Sequence, residues 1–147
     1  MNINKFTQKS IEAVQQCEKL AYEYGNQEID QEHLLYSLLT IDESLILKLI
    51  EKMEINKDSF LSQVQQLLGK KPKVSGGQVY ISNDLNKVLI SAEDELKAMG
   101  DEYVSVEHLF LALIKHASKT IKELLEAMVL QESDFYKRFL LCVATKE

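Results

Sequence analysis

Residues 31–39 read QEHLLYSLL and residues 106–114 read VEHLFLALI. The tripeptide Glu-His-Leu opens an apolar run in both, and its two histidines, His33 and His108, stand 75 residues apart. Sliding the chain against itself by that offset aligns Phe6 with Ile81 and continues without a gap to Leu68 and Val143. Identities fall at Glu18/Glu93, Gly25/Gly100, Glu32/Glu107, Leu49/Leu124, Met53/Met128 and Phe60/Phe135, among others. A register held that long without insertion marks an internal duplication, which has to be read before any local motif.

Each copy parses into four helices. Ile11, Val14, Cys17, Ala21 and Tyr24 recur at helical spacing behind Thr7, a residue able to accept a first-turn amide. Gly25 follows the last periodic residue, where a left-handed stop suits glycine. Asp30 is placed to cap a second helix carrying Leu34, Leu35, Leu38 and Leu39. A third is expected over Ser44–Met53 and a fourth over Lys57–Leu68. The second copy repeats the plan over Ser82–Met99, Ser105–Lys115, Thr120–Met128 and Ser133–Val143. The stretch between the copies, GKKPKVSGGQVY at 69–80, holds the only proline and three of the five glycines, so it reads as a loop. Val79 and Tyr80 are expected to run extended there. Four short helices bury little surface alone. The expectation is an all-α fold, two pseudo-two-fold related four-helix repeats packed into one eight-helix domain over 1–147, with 144–147 beginning a linker.

Composition narrows the chemistry. Lysine plus arginine total 17 against 23 acidic residues, a net charge of −6, which argues against a nucleic-acid face. Lys70, Lys71 and Lys73 form the one dense basic spot and read as solvation of the loop. No apolar run is long enough to span a bilayer, and the N-terminus lacks a signal-peptide core, so a cytoplasmic location is expected. Cys17 and Cys142 sit in apolar-patterned segments and read as buried reduced thiols.

Glu-His invites a catalytic reading, and spacing argues against it. Adjacent helical residues project about 100° apart, so Glu32 and His33 do not face one metal. Neither histidine has a partner four residues on. The phosphate-loop pattern fails at Gly69-Lys70-Lys71, and no nucleophile elbow is present. No metal, no cofactor and no catalytic residue are expected. Glu32 and Glu107 instead fall in first helical turns, where the helix dipole favours a carboxylate by about 0.3–1 kcal/mol. His33 and His108 fall at the edge of the apolar stripe, where an imidazole packs its body and hydrogen-bonds through its tip.

FTQKSIEAVQQCEKLAYEYGNQEIDQEHLLYSLL, PKVSGGQVYIS and GDEYVSVEHLFLALI, together with the duplication, resemble the Clp N-terminal domain of AAA+ unfoldases, and within it the ClpB disaggregase branch. The resemblance covers residues 1–143. It implies an accessory module on a hexameric ATPase ring that captures unfolded or aggregated polypeptide, with ATP hydrolysis in modules outside this chain and the isolated domain a monomer. Carried over by motif, the polypeptide-binding residues are Thr7, Asp101 and Glu107. An apolar groove goes with them, with Val79, Tyr80, Ile81 and Val104 as candidates and Leu85, Leu89 and Phe110 read rather as core. The ClpC-like branch implies an alternative: paired sites Thr7/Glu32 and Ser82/Glu107 that recognise phosphoarginine tags or adaptor proteins.

Overall fold

The computed structural model describes residues 3–128 together with 137, 138 and 141. Among the described residues, seven α-helices follow a short 3-10 turn at Ile3–Lys5. In the first copy these are α1 (Gln8–Glu23), α2 (Gln31–Thr40), α3 (Leu45–Lys52) and α4 (Lys57–Gly69). In the second they are α5 (Asn83–Ala98), α6 (Val106–Lys115) and α7 (Lys119–Ala127). The expected helix over 133–143, and Cys142 with it, lie outside the described residues apart from Lys137, Arg138 and Leu141.

Helix starts follow the capping residues. The side chains of Thr7, Ser44, Asn56, Ser82 and Ser118 each accept the amide three residues on. Each such cap contributes about 1 kcal/mol. Gly25 and Gly100, just past α1 and α5, take φ of +70° and +68°. Both are the left-handed stop that a side chain resists.

The buried face of α1 is Ser10, Ala13, Cys17, Leu20 and Ala21, so Ile11 and Val14 are only half-buried. Ser10 turns inward because its hydroxyl donates to Val104 O at 2.8 Å. Leu34, Leu35, Leu38 and Leu39 of α2 meet Leu109, Phe110, Leu111 and Leu113 of α6 in one continuous core spanning both copies. Cys17 is a free thiol within it, its pKa pushed up to about 12 by burial.

Two short parallel contacts join the copies, and periodicity did not announce them. Strand β1 (Glu28–Ile29) pairs with β2 (Tyr80–Ile81), Ile29 opposite Ile81. Phe6 forms an isolated bridge with Val104. These are the same contact in pseudo-symmetric guise, because Phe6 and Ile81 are register partners, as are Ile29 and Val104. Thr7 N donates to Val104 O and Ser82 N to Ile29 O, each at 2.9 Å. The short segment before α2 or α6 therefore closes on the segment leading into the first helix of the other copy.

Candidate functional site

Both Glu-His-Leu phrases sit at helix starts, and their histidines are interior. In α2 the Asp30 amide donates to His33 Nδ1 at 2.9 Å; in α6 the Ser105 amide donates to His108 Nδ1 at 2.8 Å. Each imidazole thus completes a capping box from the third helical position, where glutamate or glutamine is usual. With Nδ1 accepting, the ring proton lies on Nε2. It points to Asn26 Oδ1 at 3.0 Å in the first copy and to Asp101 Oδ2 at 2.9 Å in the second. Asn26 and Asp101 are themselves register partners. Both histidines are buried, with no nitrogen left for a ligand.

The carboxylates beside them have diverged. Glu32 is 5% exposed and pairs with Lys71 Nζ at 3.3 Å, while Asp30 takes the same ammonium at 3.1 Å. Asp30 Oδ1 also accepts the Gln31 amide and the Ser82 hydroxyl, each at 2.8 Å. Burial pushes the Asp30 carboxyl up, but these bonds and Lys71 together hold it below its ordinary value. In Glu32 burial wins and the pKa is raised, despite Lys71. Lys71 itself is raised, Glu32 and Asp30 outweighing its desolvation. Lys71 is thus no solvating loop residue: a carboxylate pair draws it inward, while Lys70 and Lys73 remain exposed.

Glu107 is half-buried and accepts the Ser105 hydroxyl. Together with Thr7, Lys9, Leu45 and Lys48 it lines an open cleft of about 620 Å³. Thr7 thus lies with Glu107, as in the expected polypeptide-binding set, while Ser82 bonds Asp30, whose partner Lys71 also holds Glu32. The cause is the cross-copy strand contact, which brings the start of each first helix to the other copy's second helix. No sequence offset encodes that crossing.

The apolar candidates divide. Tyr80 and Ile81 are 53% and 43% exposed, and Val79 is half-buried. Ile81 borders a small apolar pocket of about 140 Å³ whose other walls include Val14, Cys17, Leu34, Leu85 and Leu89. Val104 is fully buried, its backbone bridged to Phe6, so it lines no open surface; it is a core residue. Phe110 is fully buried too, and Leu85 and Leu89 nearly so. Asp101 is held by His108, with its side chain 48% exposed. Among the described residues, no cluster of three or more histidine, cysteine, aspartate or glutamate side chains is placed to hold a metal, and no helix is long and apolar enough to cross a membrane.

A family model for the Clp repeat (R) N-terminal domain matches residues 5–128. The chain belongs to that family. The chaperone protein ClpB of Nitratidesulfovibrio vulgaris is 39% identical over 126 residues, 82% of this chain. The chain spans 15% of that relative's length. The Hsp104 N-terminal domain of Candida albicans shares the fold at TM-score 0.80 and 20% identity, over 91% of this chain and 88% of that one. A ClpV N-domain solved in complex with a VipB peptide matches at TM-score 0.75 and 20% identity, over 97% and 89%. Clp N-domains of this fold thus include one that holds a peptide.

Proposed function

We propose that this chain is the substrate-capturing N-terminal domain of a ClpB-type ATP-dependent disaggregase. It binds unfolded or aggregated polypeptide and passes it to an AAA+ ring built from modules outside this sequence. The observation that carries the reading is the solvent-facing Tyr80–Ile81 segment beside the small apolar pocket between α1 and α5. An unfolded chain offers apolar side chains and free amides, which a shallow apolar groove with backbone acceptors binds without strict sequence preference. The 39% identity to a ClpB chaperone supports the choice of branch.

A second reading, recognition of phosphoarginine tags or adaptors for a protease, draws on the Thr7–Glu107 cleft. A glutamate there accepts guanidinium donors, and hydroxyls and helix amides receive phosphate. The occupation of Glu32 by Lys71 weighs against a paired site of that kind.

Titration of the labelled domain, followed by NMR, separates the two. Casein is expected to move the amides of 79–81 and the neighbouring turns of α1 and α5. The double variant Tyr80→Ser/Ile81→Ser should weaken that binding about tenfold, two partly exposed apolar side chains contributing some 1.4 kcal/mol together. Shifts around Glu107 with phosphoarginine, and none with casein, overturn the disaggregase reading.

A further inference from the structure

We propose that Asp101, His108, Ser105 and Glu107 form a proton-operated relay, in which the buried imidazole sets whether the Glu107 carboxylate is held at the α6 cap or released to the cleft. His108 is then a positioning residue for that cleft. The relay belongs to the free domain, and its consequence for polypeptide capture rests on Asp101 and Glu107 belonging to the binding surface.

The four side chains are one unbroken run of hydrogen bonds. Asp101 Oδ2 accepts from His108 Nε2 at 2.9 Å. On the other side of the ring, Nδ1 lies 2.8 Å from the Ser105 hydroxyl, which donates to Glu107. A serine hydroxyl has a single proton. Two acceptors compete for it, Glu107 Oε2 and the unprotonated Nδ1. A proton added at Nδ1 ends the competition. The ring nitrogen becomes a donor to Ser105 Oγ, and the hydroxyl proton goes to Glu107 alone. Acid therefore ties Glu107 to the cap, and neutral pH loosens it. The imidazolium also gives up the Ser105 amide, a loss that Asp101 offsets with an opposite charge at the far nitrogen.

The first copy has the ring and lacks the relay. Uncharged Asn26 stands for Asp101, and Asp30, with no hydroxyl, stands for Ser105. Other charged groups on the elements packed against α6 turn inward or into the cleft. Lys9 of α1, and Lys48 of α3 with Glu43 before it, line the cleft beside Glu107. Glu95 of α5 is held by Lys115, and Asp30 and Glu32 at the start of α2 are held by Lys71. Asp101 is the charge bonded to the His108 ring.

The test is an NMR pH titration of the labelled domain from about pH 8 to about 4, following the histidine rings and the side-chain carboxyl carbons. The Glu107 carboxyl should show, besides its own midpoint, an inflection at the midpoint of the His108 ring, and so should Asp101. His33, held to about 4, and the exposed His116 give separate curves. Ser105→Gly, a residue tolerated at a cap, should remove the inflection at Glu107 and leave that at Asp101. Asp101→Asn, at an exposed position, should lower the His108 midpoint, and the Glu107 inflection should move down with it. A Glu107 carboxyl blind to His108, or an inflection that survives Ser105→Gly undiminished, overturns the proposal. Casein titrations of wild type and His108→Gln extend the test to capture. Glutamine accepts the Ser105 amide and does not titrate, and casein's own titration is common to both. Wild-type affinity should fall about threefold to tenfold, relative to the variant, as pH drops through the His108 midpoint. Equal profiles overturn the role of His108 in capture. Casein that binds neither protein at any pH removes the capture reading instead, and the carboxyl titration alone then decides the relay.

Discussion

His33 gives the sharpest prediction, because its tautomer, its burial and its role in the cap are tied together. Burial first, and then the Lys71 charge, push its pKa down from 6.5 to about 4, against the smaller upward pulls of Asp30 and its amide. Protonation at Nδ1 also removes the acceptor for the Asp30 amide and opens the capping box. A folded-state pKa below the unfolded one means that the unfolded chain binds the proton first as pH falls. Stability is therefore full above pH 6.5 and drains away between pH 6.5 and 4. With those two values the loss at pH 5 is about 2 kcal/mol, and below pH 4 it approaches about 3.4 kcal/mol.

Urea unfolding of wild type and His33→Gln at a series of pH values isolates this term. Glutamine serves at the same capping position and does not titrate, and the carboxylates common to both proteins cancel in the difference. Wild type should lead at pH 7.5, and the gap should close by about 2 kcal/mol at pH 5. A gap that stays constant or widens over that range would refute the assignment. Direct titration of the imidazole by NMR should show Nε2–H at neutral pH and a midpoint near 4.

Phe110→Ala should cost about 3–5 kcal/mol in urea unfolding, since the ring is fully buried where the two copies share their core. Gly25→Ala and Gly100→Ala should each cost about 1–2 kcal/mol by the same measurement, both being held at positive φ. The two losses should be alike, because an added Cβ meets nothing closer than 3.8 Å at Gly25 and nothing within 4 Å at Gly100.

The helical plan was readable because its signals are local. Thr7, Asp30, Ser82 and Ser105 stand one residue before the helices they cap, and a 75-residue offset exposes the duplication without any structure. The role of the histidines was within reach too: each stands three residues after a cap, the position of the reciprocal partner in a capping box. Other features had no local signature. Strands of two residues are too short for alternation to appear: the extended stretch expected at Val79 and Tyr80 meets β2 at Tyr80 alone, and nothing in the pattern pointed to β1 or to its pairing with β2. Lys71 resembles Lys70 and Lys73 in sequence, and only the fold sets it against Asp30 and Glu32. Val104 is interior because Phe6, almost a hundred residues earlier, bridges to it. Each of these is a contact between distant segments, which periodicity and capping do not encode.

The crossed contacts also bear on what one repeat amounts to by itself. Thr7 and Ser82 each donate a backbone amide to a carbonyl in the other copy, and Phe6 and Ile81 each lie against the partner's short segment. A single repeat would leave those groups unpaired and would expose the α2 or α6 face that now forms the shared core. The cleft with Thr7 on one side and Glu107 on the other exists only because the copies cross, since its walls come from both. The same crossing sets Ser82 against Asp30, which a loop lysine joins to Glu32. Two sites that symmetry made equivalent have thus been driven apart by a few substitutions. Aspartate stands opposite serine at the cap, asparagine opposite aspartate behind the histidine, and one lysine lies in the connecting loop. Sites built across a duplication interface are free to diverge in this way, because a change in either copy alters only one of the two crossings.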